Sequence, residues 1–324
     1  MTGPIGGYFE LGLASREAPR YPHAALFQSA RAAFLSLLRK GNPQRIWMPR
    51  LICDSMLGAA AASGAQIQFY DLTQDMRVAD GVHPRESDWL LCVNYLGLCG
   101  SACTDALSRF DPRCIILDHA QAYYAAPLPC LATLYSPRKF FGLPDGGLVV
   151  SQLPLKDPAG IDTGSFERMS HLLLRLGGPP EAGYEDYRRA EKTLDDVEPK
   201  GMSILTRKLL ASYDAEGARL RRNANFRRLH EMLGQGNDAA PATDAVDGPL
   251  CYPYGPVRPS LRSALLERRI FIPVYWPEVL ARVANGSVEE RWVSSVLALP
   301  CDQRYGEDEM TNMAALVQSL EDSR

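Results

Sequence analysis

Two side chains near the middle of the chain are types that carbonyl chemistry uses. Lys139 stands in the turn-rich run SPRKFFGLPDGG, just after the apolar run ATLY. Asp118 closes another apolar run, CIILD, a little upstream. An amine beyond one strand end and a carboxylate at a neighbouring one are the pair that pyridoxal 5′-phosphate (PLP) needs. The lysine forms the Schiff base to the aldehyde, and the carboxylate keeps the pyridine nitrogen protonated so that the ring can draw off electrons. The aromatic and turn residues around Lys139 predict a desolvated site, which favours the neutral amine. Each residue also has a plainer reading. Most lysines are solvated surface groups, and a strand-end aspartate often only caps the next helix.

The neighbours of this pair narrow the reading. In LDHAQA, Gln121 follows Asp118 by three residues and can reach a phenolic oxygen or the carboxylate itself. His119 should face the other way if the strand continues, and so reads as a packing or supporting group. Ser136, three residues before Lys139, is a candidate for a phosphate hydrogen bond. The opening QSAR of an amphipathic stretch offers a phosphate cradle: the Ser29 hydroxyl, the first-turn backbone at Ala30 and the Arg31 guanidinium, at the positive end of a helix. An ordinary capped helix with a solvated arginine gives the same pattern.

These residues need elements to hold them. From residue 28 to 151 the chain alternates helical segments (QSARAAFLSLLRK, the stretch from Cys53 through MLGAAAA, TDALSRF) with short apolar runs (RIWMP, QIQFYD, LLCVNY, CIILD, ATLYS, GGLVVS). That alternation predicts right-handed crossovers and a mostly parallel sheet, with chemistry at the carboxyl ends of the strands. Asn94, Asp118 and Ser136 all fall at such ends. The loop between the last two runs is too short for a crossover, so the final strand should run antiparallel. Residues 152–200 read as a charged, loop-rich segment, and a long helix from about 202 to 233 follows. GQGNDAAPATDAVDGP reads as a linker. The strands LCYPY and IFIPVYW, the helix PSLRSALLERR, WVSSVLALP and a last helix, GEDEMTNMAALVQSL, complete a small α/β unit. The expected division is a large domain over 1–200 and, over 201–324, the linking helix with the small domain.

Composition sets bounds. With 324 residues, 46% of them hydrophobic, the chain can bury a large core. A net charge of −3 and the lack of a basic run point away from nucleic acid and from anionic membranes. No signal-peptide pattern opens the chain, and no apolar stretch reaches membrane-spanning length. The eight cysteines form no CxxC pair and read as buried small hydrophobes, so no metal is expected. A reduced, cytoplasmic protein is the expectation.

In order along nearly the whole chain, QSARAAFLSLL, IWMPRLICDSML, VNYLG, LDHAQA, SPRKFFGLPDGGLVV and SVLALPCDQRYGEDEM resemble the fold-type I PLP enzymes of the DegT-like sugar aminotransferase family. The resemblance implies a three-layer, mostly parallel α/β fold with a small C-terminal α/β domain, and a homodimer with active sites at the interface. It also implies transfer of an amino group from an amino-acid donor to a nucleotide-linked keto sugar, in surface polysaccharide or secondary-metabolite sugar synthesis. A dehydratase or lyase on a related sugar, or a non-catalytic protein on this fold, are the alternatives. In this resemblance Cys53 stands where the family carries an aromatic that stacks on the pyridine ring, which leaves Tyr95 as a candidate for stacking. Leu134 stands where the family has a serine, and EPKGMS (198–203) replaces the loop that reaches the partner's phosphate. Lys200 is the residue there that could still bring positive charge across.

Overall fold

The computed structural model describes residues 6–14, 19–195, 198–240 and 246–322. Seven strands build its main sheet: β1 (Ala25–Phe27), β2 (Arg45–Pro49), β3 (Gln66–Tyr70), β4 (Asp88–Val93), β5 (Ile115–His119), β6 (Ala132–Tyr135) and β7 (Gly147–Ser151). They lie in the order β1-β7-β6-β5-β4-β2-β3. β7 is antiparallel to both neighbours and the other pairings are parallel, as the short loop before it requires. The helices α1 (Ala30–Gly41), α2 (Asp54–Ser63) and α3 (Gly100–Arg109) carry the crossovers. The step from β2 to β3 moves one way across the sheet and the step from β4 to β5 moves the other way. Right-handed connections therefore place α2 and α3 on opposite faces, giving three layers. The reversal between β2 and β4 opens a crevice at their carboxyl ends, where open α/β sheets bind ligands.

Burial on both faces explains why β4, β5 and β6 read as unbroken apolar runs: all their residues are buried. Helix α1 turns its apolar stripe, including Phe34, Leu35 and Leu38, onto the same core. Its start is fixed by Ser29, whose Oγ accepts from the Ala32 amide at 3.2 Å. The glycine pair before β7 has a steric task. A Cβ on Gly147 would lie 2.2 Å from the Ser29 carbonyl carbon and 2.3 Å from the Ala30 nitrogen, so only glycine lets the strand approach the helix start this closely.

Beyond β7 the expectations need correction. The segment 152–200 contains α4 (Ser170–Gly177) and α5 (Tyr184–Thr193). The single helix expected over 202–233 is two, α6 (Ile204–Ser212) and α7 (Ala215–Leu233). The break falls where Asp214 caps α7, accepting from the Gly217 amide at 2.8 Å. A separate core then gathers Phe226 and Leu229 with β8 (Tyr252–Tyr254), α8 (Pro259–Glu267), β9 (Leu297–Leu299) and α10 (Glu307–Asp322). α9 (Val288–Ser295) precedes β9. IFIPVYW is irregular, because Pro273 interrupts it, Pro277 follows it at once, and β8 and β9 pair with each other. Part of the expected linker, 241–245, lies outside the described residues.

Candidate active site

A cleft of about 590 Å³ opens at the carboxyl ends of β2, β4, β5 and β6. Ser29, Ala30, Arg31, Cys53, Asp118, Gln121, Ser136 and Lys139 all line it. Parallel register explains the convergence: Val93 pairs with Asp118 and Asp118 with Leu134, so adjacent strands end together. Alternation then sends Asp118 into the cleft and its neighbour His119 into the core, edge-on to Tyr135 at 5.5 Å. Burial holds the His119 imidazole down to about 4, so this residue stays neutral.

Asp118 is buried, and its Oδ1 accepts from the Ala120 amide at 2.8 Å. Burial pushes its carboxyl above the usual range, opposed by the nearby Lys139 ammonium and by that amide. Such a carboxylate gains from any cation placed against it. Gln121 is buried as well. Its Oε1 accepts from the Leu96 amide at 2.9 Å, while its Nε2 has no partner among the described residues. An orphaned donor on the wall of a cleft asks for a ligand acceptor.

The surroundings of Lys139 differ from expectation. Its side chain is exposed in the cleft rather than desolvated. Of the aromatics beside it in sequence, Phe140 turns away into the core, and Phe141 is buried against Tyr123 and Tyr213 with only an edge on the cleft. The loop itself is firmly held. The Phe140 carbonyl accepts from Gln303 Nε2 at 2.7 Å and from Arg222 Nη2 at 3.4 Å, and the Arg222 guanidinium lies 4.7 Å from the Phe140 ring centre. Asp145, fully buried, accepts from the Ser203 amide and hydroxyl (3.0 and 2.5 Å) and from Thr206 Oγ1 (2.7 Å), tying α6 to the glycine pair. None of these three anchors was visible in sequence, since their partners are far along the chain.

Two candidates do not line the cleft. Asn94 is buried and its Oδ1 accepts from the Cys99 amide at 2.9 Å, holding the turn into α3. Tyr95 is fully buried beneath the cleft, where its hydroxyl donates to the Leu51 carbonyl at 2.8 Å. The chain turns down into the core after β4, so this ring cannot be the stacking face. Arg31 reaches the cleft with its charge already paired, Nη1 to Asp195 at 2.9 Å. The backbone of Lys200 is fixed to its own sheet edge. Its amide donates to Gln28 Oε1 at 2.7 Å and its carbonyl accepts from the Gln28 amide at 3.0 Å, which laces EPKGMS to the sheet edge one residue before Ser29.

The other walls come from segments that sequence reading left unassigned. His171, Arg175, Tyr184, Tyr187 and Glu191 enter from α4 and α5, and Glu191 pairs with Arg138. Tyr275, Trp276 and Arg304 enter from the C-terminal part, with Arg304 Nε bonded to Asp302 at 2.7 Å. No protein-family model matches this chain, and no curated protein matches it in sequence. Solved structures do. Helicobacter pylori PseC, an aminotransferase involved in the biosynthesis of pseudoaminic acid, superposes with a TM-score of 0.63 at 15% identity, over 93% of this chain and 87% of that one. The sugar aminotransferase CalS13 from Micromonospora echinospora gives 0.60 at 16% identity, over 92% and 87%. Spr1654 from Streptococcus pneumoniae, in its PLP form, gives 0.62 at 13% identity, over 92% and 87%. The chain has their fold. Its candidate site sits at the strand ends of that fold, where Lys139 and Asp118 face one cleft.

Proposed function

We propose that this chain is a PLP-dependent aminotransferase that passes an amino group from an amino-acid donor to a nucleotide-linked keto sugar, working as a cytoplasmic homodimer. The observation that carries the reading is the meeting of the Lys139 amine with the buried Asp118 carboxylate in one cleft of this fold. When bound, PLP supplies an aldehyde that takes up the amino group and a ring that accepts electrons from the reacting carbon. The chain's own residues suit it. Asp118 holds a proton on the ring nitrogen. The orphaned Gln121 Nε2 donates to an oxygen on the ring. Ser29, the α1 start and Ser136 receive the phosphate, where free N–H groups and the helix dipole favour a dianion.

Lys139 would hold the cofactor through Nζ, and the same amine, when free, would take and return the proton at the substrate carbon that bears nitrogen. Tethering by the Phe140 hydrogen bonds keeps that amine within reach of the carbon throughout. The exposed Arg175 and the Tyr184–Tyr187 pair, ring centres 6.4 Å apart, offer positive charge and flat faces to a nucleotide at the cleft mouth. Exposed Phe166, Leu173 and Leu176 on the same wall support a homodimer that covers it.

The test is spectroscopic. Purified protein incubated with PLP should turn yellow and stay yellow through gel filtration. Lys139→Ala should lose that covalent colour and all transamination while keeping its far-UV circular dichroism. A variant as yellow as the wild type after gel filtration would remove Lys139 from the site, and with it this reading.

A further inference from the structure

The loop after β2 lines the cleft with Ile52 and Cys53, and the start of α2 adds Ser55 and Met56, none of them aromatic. A planar ring lying over Asp118 needs a broad apolar surface there, because flat contact is what an aromatic ligand gains from a site. Among the aromatics that line the cleft, Phe141 packs against Tyr213 and Tyr123. Tyr184 and Tyr187 pack on each other at the outer wall. Tyr275 and Trp276 remain, adjacent in the chain with ring centres 6.2 Å apart, and it is Trp276 that several contacts bring to the β2 side. Its ring meets Tyr95 edge-on at 5.9 Å, and Tyr95 is bonded to Leu51. Tyr95 is also near enough to Asp118 for the carboxylate to add, after burial and Cys99, to the upward push on its phenol.

The backbone at Trp276 is unusual. It is left-handed, at φ 57° and ψ 53°, a region that bulky residues rarely enter. Such a conformation persists only when neighbours over-determine it. Here Arg282 donates to the carbonyls of Arg50 (3.0 Å) and Ile52 and pairs with Asp54 at 2.5 Å. Glu278 accepts from the Asp54 amide at 3.3 Å. The turn carrying Trp276 is thus clamped onto the loop that carries Cys53, and the indole is held at the place where that loop offers no aromatic.

We infer that Trp276 is a cofactor-binding residue whose indole supplies the flat face for the pyridine ring of PLP, a surface the β2 loop itself lacks. The inference rests on the PLP reading above. It assigns the role to a residue far along the chain from Asp118 and Lys139, delivered by the C-terminal part.

The test titrates PLP into full-length wild type, Trp276→Leu and Trp276→Phe, read by the visible band and by tryptophan fluorescence, with thermal melts as a fold control. The chain has four tryptophans, so fractional quenching by PLP can be compared with and without Trp276. Loss of stacking should weaken PLP binding about tenfold in the Leu variant, while Phe stays within about threefold of wild type. The Phe variant should also lose the largest share of the quenching. PLP binding by Trp276→Leu equal to wild type, or equal weakening in both variants, overturns the inference. If Trp276→Leu fails to fold, the Phe variant decides: undiminished fractional quenching overturns the role, and reduced quenching upholds it. A wild type that binds no PLP, and is indistinguishable from Lys139→Ala, overturns the underlying reading as well.

Discussion

The floor of the cleft and its outer wall are built on different principles. The floor comes from the ends of β4, β5 and β6 and the start of α1. It is buried, its polar groups are few, and its geometry is fixed by strand register and by the contact of Gly147 with Ser29. The wall comes from α4, α5 and the turn before α4 that holds Phe166, and it shows solvent the opposite character. Leu176 is 86% exposed, Phe166 74% and Tyr184 58%. A preformed floor holds reacting groups without any partner, whereas a wall with its apolar side chains outward is incomplete until something covers it. Chemistry should therefore depend on the floor, and assembly and substrate capture on the wall.

The largest effect expected from breaking the floor, after removal of Lys139 itself, is at Asp118. Asp118→Asn should still take up PLP yet turn over roughly 100-fold to 10,000-fold more slowly, since a neutral ring accepts electrons poorly. Single-turnover absorbance with an amino-acid donor checks it, and wild-type turnover would reduce Asp118 to the cap of the Ala120 amide. Next comes the support beneath the phosphate candidates. A methyl group on Gly147 must displace the Ser29–Ala30 backbone, so Gly147→Ala should cost about 1–3 kcal/mol of stability and weaken PLP retention together. Denaturant melts with and without PLP measure both, and a neutral change would mean that the helix start yields more readily than its packing suggests. The smallest effect on folding belongs to the wall. Leu176→Asp should leave the monomer's melting curve within about 0.5 kcal/mol of wild type, as exposed positions do. It should still split a homodimer in sedimentation. A wild type that sediments as a monomer while binding PLP would remove the assembly role from α4.

Much of the floor was legible because its signals are local. Short unbroken apolar runs, a Ser cap before an amphipathic stretch and a short loop before GGLVVS need no distant partner to be read. The mostly parallel sheet, the antiparallel β7 and the placing of Asp118, Ser136 and Lys139 at or just beyond the strand ends all follow from them. Readings that depended on what lies across the cleft went differently. Lys139 was expected to be desolvated because aromatics adjoin it in sequence. Which face those aromatics take is decided by the core under Arg222 and Tyr213, and they turn inward. Asn94 and Tyr95 share a strand end with the site, but the chain descends there, and position along a strand does not reveal that turn.

The sequence by itself determined six of the seven strands of the main sheet, all but β1, together with the strand ends where chemistry collects and the residue types waiting there. It could do so because hydrophobic period, caps and turn lengths act over a few residues. Only the tertiary structure decided which surface faces those ends. Trp276, Arg222, Gln303 and Asp145 owe their roles to contacts between residues 58 to 232 positions apart, such as Asp145–Ser203 and Arg50–Arg282, and no local pattern encodes a pairing at that range. Long-range packing sets them, since each side chain is held by a backbone that arrives from another part of the fold.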